Sequence, residues 1–208
     1  MDDTLEPRPD TRPKLLVDLG SGMKGTARLP AMFAEWRQLR IDSDAGVAPD
    51  LLADVTDLSA IESGSADAVW SAHCFEHLYL FEVGQAITEA YRILNDDGFL
   101  CAIVPDLQAI AEYIVADQLH QAVDESPAGP VIAHDVIFGY GPHLAQGHFE
   151  LARKCGFTPN LLLEKVREAP FADIMMQRRQ NRELVVVACK KPPADDAERE
   201  ALLTALEL

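Results

Sequence analysis

The chain has 208 residues, enough for one α/β domain with a sizeable core. Its 34 acidic residues outnumber 18 Lys and Arg, and the formal charge of −16 repels phosphate backbones and anionic membrane surfaces. Nucleic-acid and lipid-surface substrates are therefore disfavoured, and no apolar run is long enough to span a bilayer.

Residues 1–13 carry Pro7, Pro9 and Pro13 among charges, so a flexible N-terminal tail is expected there. The opening MDDTLEPRPD lacks the basic and apolar regions of a secretory signal. Residues 14–190 read as the main domain. Strands are expected at Leu15–Leu19, Gln38–Ile41, Asp50–Ala53, Ala66–Ser71 and Phe99–Val104. Between the last two, Val83, Ala86, Ile87, Ala90, Tyr91 and Leu94 fall on one helical face, and Asn95-Asp96-Asp97-Gly98 supplies a stop and a turn. A second helix is expected from about Leu107 to Leu119. Glycines and prolines break residues 120–150 into a lid-like loop, with a short helix around Val131–Phe138 and another over Phe149–Lys154. Leu161–Val166 and Leu184–Cys189 read as the two final strands, joined by a long loop or hairpin. Residues 191–208 form an acidic tail whose helix, Asp195–Leu208, is either docked through Leu202, Leu203 and Leu206 or frayed. Alternating strands and helices imply a largely parallel sheet covered on both faces. Cys74, Cys101, Cys155 and Cys189 are scattered without a CxxC pair, which suggests free thiols in a reducing cytoplasm.

KLLVDLGSG, Lys14 to Gly22, is the most informative stretch. A buried strand ends in Asp18 and runs through Leu19 into the turn Gly20-Ser21-Gly22, where the missing Cβ atoms let the backbone turn sharply and approach a ligand. With Met23-Lys24-Gly25 the turn also matches G-x-G-x-x-G, and Asp42 lies where a ribose-binding acid is expected, so a nicotinamide or flavin dinucleotide is the first rival. A carboxylate at Asp18 would repel a pyrophosphate but attract an ammonium group. Pro30 follows too soon for the regular helix whose dipole would hold the pyrophosphate. Asp42 (with Ser43 beside it), Asp54-Val55 and Ser71 end the next three strands, and in an open α/β sheet such ends line the ligand crevice. An acidic crevice suits S-adenosylmethionine.

The pieces VDLGSG, RIDSD, PDLLADVTDL, DAVWSAHCFEHL, EAYRILNDDGFL and IVPDL resemble, in order, the motifs of class I SAM-dependent methyltransferases, small bacterial members above all. The resemblance covers about Lys14 to Asp106, and beyond it only GHFELARKCGF is similar. It implies a Rossmann-like α/β fold: a seven-stranded, mostly parallel sheet with an antiparallel last strand and helices on both faces. Carried over by position, Asp18, Gly20 and Gly22 would hold the methionine part, Asp42 the ribose, and Asp54 with Val55 the adenine. Leu19, Ser21, Ser43 and Ser71 complete the candidate cofactor set. Asn95-Asp96-Asp97-Gly98 departs from the usual Pro-Gly-Gly turn of relatives.

His73-Cys74-Phe75-Glu76-His77 spells H-x-x-E-H, a zinc-peptidase pattern, but it follows a buried strand directly rather than lying within a long helix. Just past the fourth strand, Glu76, His77 and His73 are instead candidate catalytic groups, or else a helix cap. His134, His143 and His148, with Asp106 and Asp135, fall in or beside the expected lid. Arg178, Arg179 and Arg182 form the main basic cluster, read as solvated charges in a hairpin loop. The expected activity is methyl transfer to a small or carrier-linked acceptor. A cofactor-binding protein without turnover is the second reading and a dinucleotide oxidoreductase the third. A homodimer stays open.

Overall fold

The computed structural model describes residues 12–25, 29–126 and 129–208, so all but Arg12 and Pro13 of the expected N-terminal tail lies outside the described residues. Strands β1 (Leu15–Leu19), β2 (Arg37–Asp42), β3 (Leu51–Leu52), β4 (Ala66–Ala72) and β5 (Leu94–Pro105) pair in parallel. A hairpin of β6 (Ala122–Ser126) and β7 (Gly129–Ile132) stands apart. β8 (Asp173–Arg178) and β9 (Glu183–Cys189) close the main sheet, with β9 antiparallel to both β5 and β8. The seven-stranded order is β3-β2-β1-β4-β5-β9-β8, so the chain reverses direction of travel between β1 and β4. That switch opens a crevice at the carboxyl ends of these two strands.

Helices α1 (Leu80–Ile93) and α5 (Pro159–Val166) cover one face. Val83, Ala86, Ile87, Ala90 and Ile93 of α1 and Leu162 and Val166 of α5 are buried there with Val17, Leu19, Val69, Leu100 and Val186 of the sheet. At the start of α1, Glu82 turns back to accept from the Tyr79 N–H at 2.8 Å. The other face carries an aromatic group: Phe33 meets Trp36 and Trp70 edge-on and stacks on Phe99. Between β1 and β2 the described residues hold only a single 3-10 turn, Ala31–Phe33, headed by Pro30. The C-terminal helix α6 (Asp196–Ala205) finishes this face, docked rather than frayed: Leu206 is buried, with Leu202, Leu203 and Leu208 packed around it. Among the described residues, no helix is long and apolar enough to cross a membrane.

Several expectations are corrected. Leu161–Val166 is not a strand but most of α5, because Thr158 caps its first turn by accepting from the Leu161 N–H and Pro159 suits the first helical position. The penultimate strand is β8, whose Met, Gln and Arg residues carry little β signal. Asn95–Gly98 belongs to β5, where the register slips by a bulge between Ala66 and Ala68. The second helix, α2 (Leu107–Val115), stops four residues early. The loop at 120–150 holds the β6–β7 hairpin, α3 (Ala133–Phe138) and α4 (Gly141–Ala145), and Phe149–Lys154 holds a 3-10 turn, Phe149–Leu151.

Candidate functional site

The turn after β1 is built around glycine. Gly20 has φ +65°, and a Cβ there would sit 2.7 Å from the Cβ and Sγ of Cys74, on the segment leaving β4. Gly22, at φ +58°, continues the left-handed path. Two groups from β2 hold this turn. The Asp42 carboxylate accepts from the Gly22 N–H and the Asp44 N–H, both at 2.9 Å. The buried Arg40 donates through Nη2 to the Gly22 carbonyl at 2.6 Å and through Nη1 to that of Ala48 at 3.0 Å. The Ser21 N–H donates to the Ile41 carbonyl at 3.0 Å.

A cavity of about 240 Å³ opens beside the turn. Its walls bring together the predicted Gly20, Gly22, Asp42, Ser43, Asp54, Val55, His73 and His77. Asp44, Val47, Cys74, Leu78, Glu150, Leu151 and Lys154 are additions. Four of the lining residues are thus carboxylates, against Lys154 and the two histidines. Asp18, Leu19, Ser21, Ser71 and Glu76 are buried but do not line the cavity. Asp18 is only 2% exposed and accepts from Gln38 Nε2 at 2.9 Å. Its burial pushes the pKa up to about 6, against the smaller opposing pulls of the Gln38 hydrogen bond and the Arg40 charge.

His73 follows β4 directly, with a left-handed φ of +54°. Its Nδ1 lies 3.2 Å from Glu76 Oε1 and its Nε2 2.9 Å from Glu183 Oε1. Burial works against the charged ring, but the two carboxylates outweigh it and push the pKa up to about 10. A ring protonated on both nitrogens is no proton acceptor. Held between Glu76 and Glu183, the His73 ring favours its charged form. Glu76 is fully enclosed; burial raises its pKa, but His73 and Arg153 more than reverse this and hold it low. Its Oε2 has no hydrogen-bond partner among the described residues. His77, at the end of a 3-10 turn, Phe75–His77, has its Nδ1 3.1 Å from the Ala152 carbonyl, so the two imidazoles of H-x-x-E-H turn to different partners. Among the described residues, no group of three or more His, Cys, Asp or Glu could hold a metal ion.

A second cavity, of about 280 Å³, shares one lining residue with the first, His73. The lid residues are placed elsewhere. His134 packs on Phe138, and His143 lies between Tyr140 and His148. Asp106 caps α2 and pairs with Arg178 at 2.6 Å; Asp135 accepts from the Ile132 and Gly141 N–H groups. Neither cavity is lined by any of them. The basic cluster is more than solvated charge, since Arg179 donates to the Glu207 carbonyl at 3.0 Å and Arg182 lines the second cavity.

Residues 17–102 match the family model described as a methyltransferase domain. That span is a SAM-dependent methyltransferase domain. The matched span runs from β1 into β5 and includes the glycine turn, Asp42, Asp54 and His73. Solved methyltransferases share its fold. A SAM-dependent enzyme from Thermotoga maritima is 16% identical with a TM-score of 0.53, over 85% of this chain and 82% of that one. One from Methanosarcina mazei is 14% identical at 0.57, over 85% and 92%. The 1,6-didemethyltoxoflavin-N1-methyltransferase of Burkholderia thailandensis, solved with its acceptor and S-adenosylhomocysteine, is 19% identical at 0.52, over 87% and 72%. No curated protein matches the chain significantly.

Proposed function

We propose that the methyltransferase domain binds S-adenosylmethionine at the Gly20–Gly22 turn and passes its methyl group to a small molecule seated in the adjoining cavity. The observation that carries this reading is the wall of the first cavity: Asp42, Asp44, Asp54 and Glu150 outnumber its cations at the switch between β1 and β4. Such a wall suits a ligand with cationic ammonium and sulfonium groups and opposes a diphosphate. The two cavities together fall within the 300–1,000 Å³ common for ligand sites.

On this reading Asp42 and Ser43 face the ribose, and Asp54 and Val55 the adenine. Asp42 has a second task. By holding the Gly22 N–H it keeps the turn open to the ligand without a Cβ in the way. When bound, the cofactor would supply a methyl group already activated on positively charged sulfur. The chain's own contribution is to align the partners and exclude water, which is the main requirement when the donor is already activated. His73 stands at the junction, locked by Glu76 and Glu183, and positions without taking a proton.

Calorimetry tests this. S-adenosylhomocysteine should bind the wild type, Asp42→Asn should weaken it by at least about tenfold, and NAD should not compete. A wild type that ignores adenosylhomocysteine, or prefers NAD, overturns the reading.

A further inference from the structure

The cofactor reading assigns the second cavity no chemistry of its own, yet its walls are sharply divided. Pro105, Ile110, Val123, Val131 and Val136 are apolar, while Arg153, Arg182 and His73 bring cations together in a chain of net charge −16. The three cations differ in what compensates them. His73 lies between Glu76 and Glu183. Arg153 has Glu76 at 3.7 Å and also donates to the Val136 carbonyl.

Arg182 is held by neutral groups. Its Nη1 donates to the Val123 carbonyl and its Nη2 to the Tyr113 hydroxyl, both at 2.7 Å. The guanidinium also lies over the Tyr113 ring, 5.4 Å from the ring centre. These contacts orient the planar fork but leave its charge without an ion-pair partner among the described residues, and they use two of its five N–H donors. Of the two acids on the same wall, Glu183 is paired with His73, while Asp124 is exposed and its carboxylate accepts from the Glu125 N–H. A rigid guanidinium facing a largely apolar cavity is complementary to a carboxylate, which it can meet with two parallel hydrogen bonds.

We propose that this cavity takes the methyl acceptor, and that the acceptor is a small molecule with an apolar body and a carboxylate held by Arg182. The inference rests on the neighbouring cavity being the cofactor's. The apolar body lies against Ile110, Val123, Val131 and Val136, and the atom to be methylated sits at the His73 end, where the cavities meet. A carboxylate is preferred over a phosphate dianion because Glu183 lines the same wall and would repel the second charge.

The test uses the full chain loaded with S-adenosylhomocysteine and two matched probe pairs: benzoate against benzamide, and cyclohexanecarboxylate against cyclohexanecarboxamide. By calorimetry the carboxylate of at least one pair should bind about tenfold tighter than its amide. Arg182→Gln should abolish that preference, and Arg182→Lys should keep part of it, since an ammonium retains charge but loses the fork. Adenosylhomocysteine affinity within about twofold of wild type would show the variants folded on the cofactor side. If Arg182→Gln fails to fold, the wild-type pairs and the Lys variant decide. Equal binding of acid and amide, no binding of any probe, or an unchanged preference in Arg182→Gln overturns the proposal. A wild type that fails to bind adenosylhomocysteine sinks the cofactor reading instead; the probe pairs run on unloaded protein then decide whether the cavity is a carboxylate site at all.

Discussion

Asp18 is the residue whose surroundings most depart from its ordinary chemistry. A carboxyl 2% exposed, with a pKa raised from 3.8 to about 6, binds its proton more tightly folded than unfolded. The stability this confers is therefore complete below pH 3.8 and disappears as the pH rises through 6. Asn cannot ionise and can still accept from Gln38. Between about pH 4.5 and pH 8, urea unfolding should show Asp18→Asn gaining about 2 kcal/mol on the wild type, and a pH-independent difference would refute the burial account. The glycine turn, Asp42, Asp54 and Val55 were legible in the sequence because acids at strand ends and glycines with positive φ leave local signals. Arg40 and Cys74 were not, since their roles depend on which backbone passes overhead. Lys154 and Glu150 reach the cavity from a segment far along the chain, where no spacing rule points. Asp18 was legible as a strand-end acid; that it stands off the cavity wall required the fold.

At the scale of elements, α6 matters most for the face opposite α1. Only a 3-10 turn and aromatic side chains share that work among the described residues, so the helix closes over Phe33, Trp70 and Phe99. Its attachment is also polar: Arg199 pairs with Asp173 at 3.1 Å, and Glu207 accepts from the Ala31 N–H at 3.1 Å. Leu206→Ala should cost about 2–3 kcal/mol in urea unfolding, against under about 0.5 for the exposed Thr204→Ala. Equal effects would mean that the helix does not close the core. The strands β1 to β5 and helix α1 were readable from apolar runs and helical spacing. The later elements were harder because short segments with mixed composition, such as Asp173–Arg178, take their form from the neighbour they pair with. The apolar run Leu161–Leu163 reads as a strand unless the Thr158-Pro159 start signal is weighed with it.

For the whole molecule the decisive quantity is charge. S-adenosylmethionine carries one net positive charge near neutral pH and its homocysteine product none, so a protein at −16 attracts the donor and releases the product without electrostatic penalty. Raising salt from ~20 mM to ~0.5 M should weaken donor binding by about threefold or more and product binding by less than about twofold. Equal salt responses would show that the field is too diffuse to matter. The same wide field would turn away an anionic acceptor, which makes a local cation at the second cavity necessary rather than incidental. That cation and Glu183, the partner of His73, are neighbours in sequence: Arg182 ends the link between β8 and β9, and Glu183 opens β9. Choice of acceptor is thus written on a short surface turn that β1 to β4 do not contain. Grafting residues 179–183 from a homologue would retarget the enzyme while leaving its donor specificity intact.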